Sequence, residues 1–278
     1  MKKSIFIIVL VFATSLSFSQ KKEKVKGSKI VTTEIKKIES FESLEVDDNL
    51  EVFLIKGNEC GLEIEADDNL HDAIDAVVAG SNLRLSTLKN AFGYKKLSIR
   101  VTYTNDFKLV VTRNEASVTA LAEIELDNVT FKSYDYSKLF LNSKSKNVSL
   151  YMDDKSKAEF NSKAENTVVS LSKNANLKGL ITSTNMTFDM YQKSDATIDG
   201  DVEMAKLRLD NNADFSGKTF NVKNAELTCE AYSKVSINIK NTISIDASGK
   251  SEIQLYGDQK IDMKRFVDSA VLVKKPTK

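Results

Sequence analysis

A register of 19 residues runs through the C-terminal half of the chain and limits what it can fold into. Asn128, Asn147, Asn166 and Asn185 stand one period apart, and Phe131, Leu150, Val169, Phe188 and Leu207 repeat three residues later at the same step. Ser137, Ser156, Ala175, Ser194 and Ala213 form a third column, of small residues. A fixed period near twenty is the signature of a solenoid whose repeats stack on one another. One unit can be written from Asn147: Val148, Leu150 and Met152 point inward, a polar turn follows through Asp153, Asp154 and Lys155, and Ser156, Ala158 and Phe160 point inward again. After Leu207 and Leu209 the step loosens to 20 and then 18, placing Cys229 and Ala247 in one column, with a last partial unit at Ile261 and Met263.

Each unit has too few inward residues for a core of its own. Parallel stacking lets every rung satisfy its neighbours' backbone groups and bury like over like. The inward column Leu139, Ala158, Leu177, Ala196, Phe215, Val235 largely alternates large with small, and its neighbour Leu141, Phe160, Gly179, Ile198, Gly217, Ile237 supplies the missing volume. The expected fold is all-β: a parallel β-helix-like solenoid of about seven rungs over 112–267, preceded by a small β-rich region with one short helix over 27–111. In that region Leu50, Val52 and Leu54 alternate with other residues, as do Leu97, Ile99, Val101 and Tyr103, which reads as strands. Asp67 or Asp68 can cap a helix whose Leu70, Ile74, Val77 and Val78 form one stripe, stopped by Gly80.

The ends carry a different message. Residues 1–19 begin with Lys2 and Lys3, continue through the apolar run from Ile5 to Leu16 and end in small residues, the order of a secretory signal peptide. Cleavage is expected after Ser19, and a flexible basic leader over 20–26 and a C-terminal tail over 268–278 complete the division. The implied location is outside the cytoplasm, in the periplasm or on the outer cell surface, with no transmembrane segment. A formal net charge of +1 argues against broad attraction to nucleic acid. Cys229 falls in an apolar column, several rungs from Cys60, so two free thiols are favoured over a disulfide.

Little in the chain resembles catalytic machinery. His71 is the single histidine, expected to be solvated, and neither a metal cluster nor a cofactor loop can be written. The Asn column includes three N-glycosylation patterns, at Asn128, Asn147 and Asn185, but its recurrence at the solenoid period favours a turn position with positive φ and a ladder of stacked amides. Asp135, Asp153 and Asp154 could serve a polysaccharide-processing enzyme, and Tyr134, Tyr191 and Tyr232 could offer sugar rings a stacking surface. A solvated turn is the simpler account of the acids.

The runs 25–28, 40–46, 50–57, 66–70 and 82–85, which include Phe41-Glu42-Ser43-Leu44, Leu50-Glu51-Val52-Phe53 and Asp67-Asp68-Asn69-Leu70, resemble the opening of the head GIN domain family. That family is named for auto-transporter adhesins and is found mainly in exported proteins of Bacteroidetes bacteria. The chain departs from its frequent Ser-Gly-Ser-Gly turns at Tyr136-Ser137-Lys138 and Lys155-Ser156-Lys157. The resemblance implies a non-enzymatic envelope protein whose partner is a glycan or a cell-envelope protein. It brings no catalytic, metal or cofactor residues with it.

Overall fold

Asn128 stands opposite Asn147, Asn147 opposite Asn166 and Asn166 opposite Asn185, in parallel strands whose register follows the sequence columns. The protein is described by a computed structural model over residues 22–276; the expected signal peptide lies outside the described residues. Each full turn has two limbs. In one turn, Lys157–Leu171 is a single strand whose first limb carries Ala158 and Phe160 inward and whose second limb carries Thr167, Val169 and Leu171 inward. The two limbs face each other and enclose a narrow core. The loosened steps are real: Leu207 pairs with Leu227 and Leu227 with Ile245.

A tight corner joins the second limb of one turn to the first limb of the next. Ser156 N–H donates to Asp153 O across it at 3.3 Å. The residue after Asp153 at every such corner has a left-handed backbone: Asp48, Asn114, Asp135, Asp154, Lys173, Gln192, Asn211, Ala231, Gly249 and Asp268 all have φ between 54° and 70°. Successive corners are also hydrogen bonded. Glu115 N–H donates to Asp48 O, Tyr136 N–H to Asn114 O, Lys155 N–H to Asp135 O and Asn174 N–H to Asp154 O, at 2.7–2.9 Å. Two residues after the left-handed position comes the buried small column of Ala116, Ser137, Ser156, Ala175, Ser194 and Ala213. Only a small side chain fits where the chain reverses so sharply. The volume compensation holds as well. A Cβ on Gly179 would lie 3.0 Å from Phe160 O and 3.2 Å from Ile198 Cδ1, so its neighbours already occupy the space.

The solenoid has about nine turns rather than seven, because it begins well before residue 112. Ser43–Val46 is a second limb and Glu51–Lys56 the first limb that follows it, joined at the Asp48 corner. On one side they pair with Asn82–Thr87 and Leu97–Tyr103, and on the other with Leu109–Thr112 and Ser117–Ala120, all in parallel. The region expected as a separate β-rich lead is thus continuous with the stack. Antiparallel strands finish this end: Ile74–Ala79 beside Asn82–Thr87, and Gly61–Asp67 then Val31–Lys36 beside Leu97–Tyr103.

Other expectations change in detail. The helix is a 3-10 segment, Asp68–Ala73, and Ile74, Val77 and Val78 belong to the strand that follows, as their β-branched side chains favour. Asp67 does not cap it through its side chain; the buried carboxylate instead accepts N–H groups from Lys29, Lys95 and Lys96 at 2.8–3.0 Å. His71 is half-buried rather than solvated, with Nε2 2.8 Å from Thr32 Oγ1. Within the expected leader, Lys24–Lys26 is a strand paired with Asn90–Phe92, and Lys22 forms an ion pair with Asp48 at 2.5 Å. Within the expected tail, Val271–Lys274 pairs with Glu252–Leu255. Both cysteines are free; burial pushes the Cys229 thiol up to about 12. No helix among the described residues is long and apolar enough to cross a membrane.

A left-handed φ costs an L-residue about 1–2 kcal/mol, and glycine's freedom in the unfolded chain offsets roughly 0.5–1 kcal/mol of any gain from replacing it. Ala231→Gly is expected to stabilise the fold by up to about 1 kcal/mol. Gly249→Ala is expected to destabilise it by more, since the new Cβ would lie 2.8 Å from Ala231 Cα. Urea midpoints of the two variants check this; a lowered midpoint for Ala231→Gly would show that the corner carries no such strain.

Candidate functional site

The tight corner gathers the three acids named from the sequence, but it uses them structurally. Asp153 Oδ1 accepts Ser172 Oγ–H at 2.6 Å and Asp154 N–H at 2.7 Å, and its Oδ2 lies 3.2 Å from Lys173 Nζ. Lys173 also sits 2.6 Å from Asp154. Burial alone would raise the Asp153 carboxyl; those hydrogen bonds and the Lys173 ammonium outweigh it and hold the group below the usual carboxylate range. Asp135 accepts Asn114 N–H at 3.0 Å, one rung away. A general acid needs the opposite environment, one that keeps its proton near neutral pH. Among the described residues no cluster of three or more His, Cys, Asp or Glu could hold a metal ion.

The tyrosines are each partnered by a cation. Arg113 lies over the Tyr134 ring at 4.7 Å, Lys250 over Tyr232 at 5.5 Å and Arg208 over Tyr191 at 5.9 Å. The Asn column forms the expected ladder: Asn147 Nδ2 donates to Asn128 Oδ1 at 2.7 Å, Asn166 to Asn147 at 2.8 Å and Asn185 to Asn166 at 3.1 Å. None of these asparagines has a positive φ, which belongs to the tight corner instead.

A feature absent from the sequence reading lies on the opposite, wide corner, between the first and second limbs. Lys163, Thr182, Asp201, Asn221, Asn238 and Tyr256 occupy one register column on six successive strands. At about 4.8 Å per rung they span roughly 24 Å. Asn238 Nδ2 donates to Asn221 Oδ1 at 2.9 Å, and Asn221 Nδ2 to Asp201 Oδ1 at 3.1 Å, so the middle of the column is a hydrogen-bonded ladder. Two hollows of about 530 and 740 Å³ open along it and share Asn221 and Lys240. They form one groove parallel to the solenoid axis. Its course coincides with the departures from regular pairing, between Thr197 and Asp201 and between Gly217 and Asn221. Gly200 and Gly257 turn here with φ of 114° and 91°, and a Cβ on either would lie 2.1 Å from the carbonyl oxygen of the rung before. Glycine lets the backbone press against that rung and shape the groove. The one trace of this in the sequence is the step of 20 and then 18.

The architecture defines a β-solenoid with polar, laterally repetitive outer surfaces. The chain belongs to the family described as "Putative auto-transporter adhesin, head GIN domain", whose model matches residues 40–258. Among solved structures it is similar to a "putative adhesin" from Parabacteroides distasonis (14% identity, TM-score 0.65, covering 91% of this chain and 100% of that one). It is also similar to a "putative adhesin" from Parabacteroides merdae (14% identity, TM-score 0.63, 91% and 99%) and to a "putative lipid binding protein" from Parabacteroides distasonis (15%, 0.62, 91% and 100%). At these identities the likeness shows the shared fold. No curated protein matches the chain.

Two carboxylates of the stack are expected to respond oppositely to pH. The depressed Asp153 contributes stability that is present above its unfolded value, about 3.9, and lost as pH falls through its lower folded value. Asp214, exposed at the start of its strand, is held above the usual range by partial desolvation and then by the neighbouring Asp195, so its ionisation weakens the fold at neutral pH. Asp153→Asn should lower the melting temperature at pH 7 and Asp214→Asn should raise it, with both differences shrinking as pH approaches 3. Thermal melts across that range check the signs; a loss of stability in Asp214→Asn at pH 7 would contradict the second.

Proposed function

We propose that this is a non-enzymatic, exported cell-envelope protein that binds a glycan or another envelope component along its extended outer surface, in the manner of an adhesin. The observation that carries this reading is the axial groove, where polar side chains recur once per rung over six strands. Such a surface meets a long or repetitive ligand at many equivalent points, each weak alone. The signal-peptide order of residues 1–19 supports export. Family membership supports adhesion as the class of activity.

The competing reading, a polysaccharide-processing enzyme working through Asp135, Asp153 and Asp154, is disfavoured by the Asp153 environment, where hydrogen bonds and Lys173 favour the ionised form. The core between the limbs is filled by side chains such as Phe131, Phe160, Phe188 and Phe215, so binding belongs on the outside.

The test is retention of the folded chain on isolated cell-envelope material, run beside an assay for new reducing ends on envelope polysaccharide. Saturable retention with no turnover is expected. Turnover that disappears in Asp153→Asn while the circular dichroism spectrum is unchanged would replace this reading with the enzymatic one.

A further inference from the structure

The wide corner changes character along its length. Near the N-terminal end its lysines are answered by acids: Lys146 pairs with Asp127 at 3.3 Å and Lys144 with Glu125 at 4.0 Å. Along the groove, Lys223 is paired with Glu203 at 2.5 Å, but Lys163, Lys218, Lys240 and Lys275 form no salt bridge with a carboxylate among the described residues. Against the five lysines of the groove its lining holds two carboxylates, Asp201 and Glu203, so the groove carries a net positive charge. Concave surfaces lined with one sign of charge focus the field and attract a ligand of the other sign.

The floor beneath those lysines has a second character. Thr182, Asp201, Asn221 and Asn238 present hydroxyl, carboxylate and amide groups one rung apart, and the half-buried Tyr256 ends the column with an aromatic surface. Asn238 is only 5% exposed and anchors the floor by donating Nδ2–H to Asn221 Oδ1 at 2.9 Å. Hydroxyl-rich polymers are recognised by such alternating donors and acceptors with an aromatic ring beneath a sugar face. The rung spacing is close to the length of one pyranose unit in an extended chain.

We infer that the groove from Lys163 to Tyr256 is a binding site for an anionic polysaccharide lying parallel to the solenoid axis. This rests on the binding function proposed above and gives it a place and a ligand chemistry. The amide ladder and Thr182 contact ring hydroxyls, Tyr256 stacks under one sugar, and the unpaired lysines on the rim meet the carboxylate or sulfate groups. The Asp201–Asn221–Asn238 hydrogen bonds fix the floor before the ligand arrives, which limits the ordering cost of binding. Charged groups at the rim make the affinity fall as salt rises.

Affinity electrophoresis of the purified chain through gels containing polygalacturonate, dextran sulfate or neutral dextran tests this. Retardation by a polyanionic glycan and none by dextran is expected; the stronger of the two polyanions identifies carboxylate or sulfate as the preferred group. The Lys163→Ala/Lys240→Ala variant should weaken binding about tenfold or more, the scale of two lost charge-assisted contacts. Tyr256→Ala should weaken it with no change in charge, and Lys144→Ala/Lys146→Ala, from the acid-paired stretch of the same corner, should leave it unaltered. Matching thermal melts confirm folding. Equal losses in the two lysine pairs, or retardation by none of the gels, would overturn the site. Envelope retention that survives the Lys163/Lys240 change would overturn the groove while leaving the broader binding function standing; failure of the unmodified chain to bind envelope material would remove both.

Discussion

A short run of chain must turn back on itself once per rung, in nearly the same place, for a stack this narrow to close. The left-handed corner makes that possible. One residue takes a positive φ, the next donates its N–H to the corner below, and the one after is small enough to enter the core. Asp, Asn and Gly fill many of these positions, as their tolerance of left-handed backbone would suggest. Lys173, Gln192 and Ala231 occupy the same place without that tolerance, so the column is imposed by the stack as a whole.

The acids at this corner are therefore part of the turn's mechanics. Asp153 gathers a hydroxyl, a backbone N–H and an ammonium around itself, and Asp135 receives the N–H of Asn114. A carboxylate so well satisfied has little left for a substrate. The wide corner is under less constraint: its path can lengthen or shorten by a residue without unseating the core, and the groove lies where it does.

The later turns were legible because, as far as Leu209, each inward side chain lies over one 19 residues away, which writes the stack directly into the sequence. The first turns were hidden because the chain visits them out of order. Leu44 lies between Leu83 and Val110, and Val52 between Ile99 and Val118, so adjacent layers in space are far apart in sequence and share no period. The short helix was misjudged for a local reason: Leu70, Ile74, Val77 and Val78 fit a helical stripe, but the β-branched residues went to the strand. The ladder of Asn amides could be anticipated from composition and spacing. The groove could not, because it depends on where bulges bend the backbone, and a loosened step reports the bulge without its consequence.

That out-of-order beginning also gives the molecule a direction in time. The layer built from Ser43–Val46 and Glu51–Lys56 is flanked on one side by strands that follow it and on the other by strands that come later still. A chain emerging N-terminus first holds this layer half-covered until Leu109–Thr112 and Ser117–Ala120 arrive. Once they lock it in place, every later turn needs only the one before it as a template. The opening third thus carries the pairings between distant strands, the kind that close slowly, and the remaining turns add pairings only between neighbours in the chain.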